Sequence, residues 1–541
     1  MATITVTNNS DNLPGSLRQA IISAVSGDTI DFAPALSGAT IVLTSGELTI
    51  AKNLSIINNN PLNVTVSGNN ATRVFSISAT FIVSMSGLTI TNGRQAFQSG
   101  AGILNFGNLT ITLCTISDNS NGNSNDPFGG AGIYNGSVCN MTYSTVSGNR
   151  IATISNFGGA GIFNNGIFNM TYCTVNDNNT AATGSNVNGG GIVNDGSAAV
   201  FTIVNSTING NMARFTRGGG IYVSSGVVTL TNTTISSNTV NDDGSGNGVG
   251  GGVYNNAGTI NVGNTIIARN TATSGATSPD VFGPFTSNGN NIIGNTTGST
   301  GFGGSDQIGV NPLLNPLGNY GGPTQTRTLQ PASTAIDGGN NALVPVGIIY
   351  DQRGPGFPRI INGIVDIGAI EAGVICFSGE SLVLAKNKLT NEISEVRAKE
   401  LYSDTHEIFD TINEKFIPIK YNIITGRITR YMKIKKNSLG ENKPNEDFLV
   451  TSGHKILYNG TEIKASQIPG AIRIKVKPEI VYSICTEEKT AIKINNLDVM
   501  TWGESELLKY SVKRGLSWEN NLDKSHSLKM TAPNDDSIFG I

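Results

Sequence analysis

Lysine is almost missing from the first two thirds of this 541-residue chain: Lys52 stands alone in residues 1–375, which also hold no histidine and no tryptophan. Nucleic-acid binding needs a dense basic face, and neither this stretch nor the net charge of −3 supplies one. No run of roughly 18 apolar residues occurs, so no membrane-spanning helix is expected. Residues 1–25 lack a basic start followed by an apolar core, so no secretory signal is expected in them. Cysteine is scarce too, at five residues. Cys114 and Cys173 occupy matching places in a repeat, with Ser144 between them. Two strand spacings, about 9.5 Å, exceed the reach of a disulfide. These two and Cys139 therefore read as small buried apolar side chains rather than a disulfide framework.

What is abundant changes at one point, within Val374-Ile375-Cys376-Phe377-Ser378-Gly379-Glu380-Ser381. Residues 1–375 carry 58 of the 67 glycines, with 11 basic and 16 acidic residues. Residues 376–541 carry 24 basic and 22 acidic residues, both tryptophans (Trp502, Trp518) and all three histidines (His406, His454, His526). So abrupt a step marks a domain boundary, and a cysteine stands on it.

In chain order, Ser16 can cap a short helix whose Leu17, Ala20, Ile21 and Ala24 share one face. Such a helix within residues 1–30 suits an end cap for an open array of strands. Alternating β patterns begin at Thr40, and then a repeat sets in. Its glycine-rich starts are followed by Ile103, Ile133, Ile162, Ile192, Ile221 and Val253, a period of 29 to 32 residues. Each unit reads as three short strands with a polar insert such as 121–128 or 242–249. No single unit can bury its apolar face, but stacked units can, which predicts an all-β, right-handed parallel β-helix. Asn119, Asn149, Asn178, Asn211, Asn238 and Asn270 close successive units and predict an internal amide ladder.

Residues 271–373 lose the repeat and gain prolines; their landmarks are AIDGG (335–339), DQRG (351–354) and DIGAIE (366–371). With SLRQAI and the GGGIYN-type units, these resemble the bacterial choice-of-anchor β-helix proteins and polymorphic outer-membrane-protein repeats of the pectin-lyase-like superfamily. The resemblance implies an extracellular, cell-surface or virion-surface protein with an adhesion-type role and a glycan or protein ligand. A carbohydrate-active lyase or hydrolase is the alternative. It would need clustered carboxylates and a strong base on one groove, whereas Asp118, Asp177, Asp195, Asp242 and Asp243 are read as falling at different places in the coil.

The C-terminal part resembles the Hint (hedgehog/intein) family, on two blocks. One is Cys376-Phe377-Ser378-Gly379-Glu380-Ser381 at the boundary; the other is Thr451-Ser452-Gly453-His454. The resemblance implies three catalytic residues. The Cys376 thiolate attacks the Ile375 carbonyl, His454 protonates the leaving amide nitrogen, and Thr451 orients the scissile peptide. Thiol and imidazole suit this chemistry near neutral pH. The thioester would then pass to water, a thiol, an amine or a lipid hydroxyl. Departures restrict the outcome. Met500-Thr501 stands where splicing inteins end in His-Asn, and Thr425-Gly426 stands where hedgehog proteins carry an aspartate, so neither splicing nor cholesterol transfer is expected. Ser483 replaces an expected acid, Asp447 is a candidate substitute, and Cys485 is read as core packing. The organisation read from the chain is a β-helix over 1–373, a Hint domain over 374–530 and a tail over 531–541. No cofactor and no metal are called for.

Overall fold

The computed structural model describes the chain except for residues 1, 96–98, 123–128, 152–157, 181–187, 215–216, 242–247, 273–277, 331–332, 356, 362–363, 373–376, 403–404, 420, 440, 442, 451–453, 460, 487–489, 504–516, 521–526 and 532–541. The repeat builds a parallel β-helix with four strands per coil, one more than the sequence pattern suggests. In one coil they are Ile103–Asn105, Asn108–Thr112, Thr115–Ser117 and Ser120–Asn121. The fourth is only two residues long, too short for hydrophobic alternation to reveal. Like strands of successive coils pair in parallel. They form an 11-stranded sheet that begins at Thr3–Val6, a second of 11 strands, a third of 10 and a fourth of seven. The register follows the repeat: Ile103 pairs Ile133, Ile133 pairs Ile162, Ile162 pairs Ile192 and Ile192 pairs Ile221.

Alternation within the strands fills the interior. Leu109 and Ile111, Cys139 and Met141, Phe168 and Met170, and Phe201 and Ile203 are fully buried and stack coil upon coil. Each contributes about 1.5–3 kcal/mol by leaving water. The Phe168 and Phe201 rings stack at 4.7 Å. At the N-terminal end, Ser16 Oγ accepts from Gln19 N at 3.3 Å and caps the helix Leu17–Ser23, whose Leu17, Ala20 and Ile21 are buried as expected.

The asparagine ladder is present. Asn119 Nδ2 donates to Asn149 Oδ1, and the same bond repeats from Asn149 to Asn178, Asn211, Asn238 and Asn270, each at 2.9 Å. Every amide points the same way, so the last must meet an acceptor that has nothing further to donate to. That acceptor is a carboxylate, Asp280, at 3.0 Å from Asn270 Nδ2. A second ladder, not anticipated, runs through Asn105, Asn135, Asn164 and Asn194 at 2.7 to 2.8 Å.

One expectation needs correction: Asp118 and Asp177 do share a coil position. They stand with Gly148, Gly210, Ser237 and Arg269 at a corner whose φ lies between 55° and 68°. That left-handed corner favours glycine, and aspartate tolerates it better than bulky residues do. The match is a demand of the backbone, and Gly148, in the coil between them, supplies no side chain between the two acids.

The coils continue to Gln307–Ile308. Beyond them the chain doubles back along the outer face of the second sheet, which explains the landmarks of 335–371. Gln352 is fully buried and bonds Thr207 Oγ1, Thr326 Oγ1, Thr324 Oγ1, Thr174 Oγ1 and the Cys173 carbonyl at 2.6 to 3.1 Å. Arg327 bonds Ser236 and Ser237, and Ala369 N donates to Thr234 Oγ1 at 3.0 Å.

The C-terminal part forms two further sheets whose pairings are mostly antiparallel. Two long strands, Tyr421–Ile434 and Ile472–Thr486, pair along most of their length, with bulges between Ile424 and Gly426 and between Ile428 and Arg430. A buried cluster that includes Val383, Ile408, Ile434, Phe448, Ile492 and Val499 is its core.

Candidate functional site

Three thiols can be set aside first. Cys114, Cys139 and Cys173 are buried and unbridged, and burial pushes Cys114 up to about 11 and Cys173 up to about 12. Neither supplies thiolate at neutral pH. The backbone N–H groups of Cys114 and Cys173 donate to Ser144 Oγ and Ser206 Oγ, so the two cysteines belong to a structural column.

Of the residues singled out from the sequence, Ile375, Cys376 and Thr451 lie outside the described residues. Their immediate neighbours do not. The strand Phe377–Ser378 lies between two partners, Phe377 pairing antiparallel with Val450 on one side and with Tyr482 on the other. Phe377 follows Cys376 directly, and Val450 precedes Thr451 directly. Phe377 and Val450, 73 residues apart in sequence, are thus neighbours in one sheet.

His454 is buried at 1% exposure, just ahead of the strand Lys455–Tyr458. Its main-chain carbonyl accepts from Ala465 N at 2.8 Å, which fixes the backbone. Its ring Nε2 lies 3.0 Å from the Met500 carbonyl oxygen. A carbonyl only accepts, so Nε2 carries a proton and Nδ1 is the nitrogen left to take or give one. Met500 is the residue that, on the Hint resemblance, would stand in place of a splicing His-Asn end. Here its main chain, not its side chain, engages the imidazole.

Thr501, next to Met500, opens a buried polar network. Its hydroxyl meets Thr486 Oγ1 at 2.8 Å and accepts from Thr490 N at 3.0 Å, and Thr490 Oγ1 donates to Asp410 Oδ1 at 2.7 Å. Asp410 also accepts from Ile412 N, Asn413 N and Asn413 Nδ2. Burial raises the Asp410 carboxyl, but these hydrogen bonds outweigh it and hold the group below its ordinary range. The sequence reading missed Asp410, because nothing singles out one acid in so charged a segment. The acid it did consider, Asp447, is bound by Lys433 at 2.5 Å and by Lys436 N, both on the surface. Those bonds hold it below the usual carboxylate range, so it stays an ordinary solvated anion. Cys485 and Ser483 lie in the strand Ile472–Thr486, paired with Tyr421 and Ile423. His406 is half-buried, with Nδ1 2.9 Å from Thr405 Oγ1, and His526 lies outside the described residues.

A second concentration of titratable groups belongs to the doubled-back segment. Asp351, Arg353, Arg359, Asp366 and Glu371 are all at most 4% exposed. Arg353 grips Asp351 through two nitrogens, and Arg359 lies 3.6 Å from Glu371. Burial pushes Asp366 up to about 7, and burial with the adjacent Asp366 pushes Glu371 well above its usual value. Every polar atom named here faces protein, so the group holds chain together instead of lining a cleft. Among the described residues, no three His, Cys, Asp or Glu side chains gather closely enough to share a metal ion.

No protein-family model matches the chain, and no curated protein matches it in sequence. Among solved structures it is similar to the crystal structure of pectate lyase Pel9A, with a TM-score of 0.38 and 13% identity, over 69% of this chain and 96% of that one.

Proposed function

We propose that the chain is a β-helix of surface or adhesion type whose C-terminal domain cuts it once, between Ile375 and Cys376. The observation that carries this reading is the pairing of Phe377 with Val450 and Tyr482. It sets Phe377, the residue after Cys376, beside Val450, the residue before Thr451, with His454 buried close by in sequence and its Nε2 proton fixed by Met500.

In this reading the Cys376 sulfur adds to the Ile375 carbonyl carbon and the C–N bond breaks. The thiol proton is carried to the departing nitrogen, with His454 Nδ1 as the carrier, and a thioester and a free α-amine result. Atoms balance without a cofactor, because this step is an isomerisation. Thr451 would orient the peptide for attack. A second nucleophile then forms its bond to the Ile375 carbonyl carbon as the C–S bond breaks and the sulfur takes up a proton. Water releases the β-helix, while a thiol, an amine or a lipid hydroxyl attaches it to something else. The β-branched side chain of Ile375 crowds its own carbonyl, so the second step is slow.

The carbohydrate-active reading has no specific observation in its favour. The two acids with matching coil positions occupy a structural corner. Incubation of the purified chain with dithiothreitol tests the proposal. Fragments of residues 1–375 and 376–541 are expected by mass spectrometry, lost in Cys376→Ala and formed at least tenfold more slowly in His454→Ala. A wild-type chain that stays whole after prolonged thiol treatment removes the proposal.

A further inference from the structure

The outer face of the second sheet carries an unbroken column of threonines. Thr65, Thr89 and Thr115 stand in register, through Thr145, with Thr174, Thr207 and Thr234. Two places after each comes a serine, threonine or asparagine, so the face is uncharged. Threonine suits any exposed strand, and the column alone says nothing about a ligand. Its C-terminal half shows what it can hold. Thr174, Thr207 and Thr234 are at most 1% exposed, because the doubled-back segment lies on them. Thr324 Oγ1 donates to the Tyr172 carbonyl at 3.1 Å, and Thr174 Oγ1 donates to the Gln325 carbonyl. One coil further on, Thr326 Oγ1 meets Thr207 Oγ1 at 3.0 Å. In the coil after that, Arg327 Nη1 donates to Ser236 Oγ and Ser237 Oγ at 2.9 and 2.8 Å. Four residues, Thr324–Arg327, thus cross three coils and end with a basic side chain at the corner.

The column continues where this interface thins out. Gly354 lies against the ring of Tyr143, in the Thr145 coil, where an added Cβ would come within 2.8 Å of Cε1. Beyond it Thr65, Thr89 and Thr115 are only half-buried, and they repeat the same hydroxyl rows at about 4.8 Å spacing. The corner that Ser237 occupies beside Thr234 is occupied beside Thr115 by Asp118, which is exposed. A basic side chain placed like that of Arg327 would meet a carboxylate there. We infer that the face around Thr65, Thr89 and Thr115 is a docking surface for a polypeptide segment of a partner protein. That segment lies across the strands as Thr324–Arg327 does. It offers hydroxyl or amide side chains and main-chain carbonyls to the threonines, and a basic residue to Asp118. The inference goes beyond the cleavage reading and does not depend on it.

An isotope-labelled peptide of residues 322–330, which contains Thr324–Arg327, is the probe. Its titration with the full chain, followed by NMR, is expected to show saturable binding. Thr89→Val combined with Thr115→Val removes two hydroxyls and keeps the side-chain shape. The peptide should bind this variant at least about tenfold more weakly, the factor for two lost hydrogen bonds. Asp118→Asn should weaken binding roughly two- to fivefold, as for one exposed ion pair. The control is Thr110→Val with Thr229→Val, two half-buried threonines on the outer face of the first sheet, and it should bind as wild type does. Circular dichroism should be unchanged in all three. A peptide that does not bind, or that binds the Thr89/Thr115 variant as tightly as wild type, overturns the inference. Binding of cellohexaose in the peptide's place, with the same dependence on Thr89 and Thr115, makes the partner a neutral glycan and overturns it too. Self-association of the chain that is lost in that variant assigns the face to a second copy, with the same consequence.

Discussion

Asn178→Ala is the sharpest test of what holds the coils together. Asn178 is fully buried. Its Oδ1 accepts from both Asn149 N at 3.0 Å and Asn149 Nδ2 at 2.9 Å, and its Nδ2 donates to Val146 O at 3.0 Å and Asn211 Oδ1 at 2.9 Å. The alanine variant deprives Asn149 N and the Val146 carbonyl of these partners deep inside the coil stack, out of reach of bulk water. Each buried polar group without a partner costs about 1–3 kcal/mol, so a loss of roughly 2–6 kcal/mol is expected for the two. The outward amide pair Asn169–Asn140, also bonded at 2.9 Å but half-exposed, is the control. Asn169→Ala should lose less than about 1 kcal/mol, because water takes over both groups. Urea unfolding followed by circular dichroism gives the comparison. Hydrogen exchange should show the opening centred on the coils of Asn149 and Asn211, since each coil leans only on its neighbours. If the two variants lose the same stability within about 0.5 kcal/mol, the ladder is not a principal stabiliser and the reasoning is wrong.

Three further outcomes are expected. Leu113 sits at φ 55° in a corner where later coils place Asn205, Asn232 and Asn264, so Leu113→Asn should stabilise the β-helix by about 0.5–1 kcal/mol in urea unfolding. Asp366 and Glu371 are raised by burial, so the folded state binds protons more tightly than the unfolded one. The stability they confer is present below the ordinary carboxylate range and is lost as pH rises through about 7; unfolding free energy should fall over that window, and less steeply in Asp366→Asn. Thr490→Val removes the hydroxyl that donates to buried Asp410 and should cost about 1.5–3 kcal/mol in the thermal stability of the C-terminal sheets.

The β-helix was legible because its physics repeats. A period near 30 residues, glycine-rich starts and closing asparagines state the same demand in each coil, and the paired register from Ile103 to Ile221 follows them. Two features were less visible. The fourth strand is only two or three residues long, below what alternation can mark. The second ladder was open to view as the asparagine two places after each of Ile103, Ile133, Ile162 and Ile192, but it was overshadowed by the apolar residues around it. The landmarks of residues 335–371 were recognisable only as words. Their meaning depends on contacts with coils more than 100 residues earlier, such as Gln352 with Cys173, and no local pattern carries that information. In the C-terminal part, the strand beside the first sequence block pairs with the strand that ends just before the second. Asp410 stayed hidden because burial, not residue type, distinguishes it from the acids around it.

Hydroxylamine trapping tests the central claim most directly. Hydroxylamine attacks a thioester, and as its nitrogen bonds the acyl carbon the Cys376 sulfur departs and takes up a proton. The predicted product is a fragment ending at Ile375 and bearing a hydroxamate on that residue, identified by peptide mass spectrometry, together with a fragment beginning at Cys376. Cys376→Ala should give neither. Fragments that appear equally in the alanine variant, or a wild-type chain that remains intact, would contradict the account.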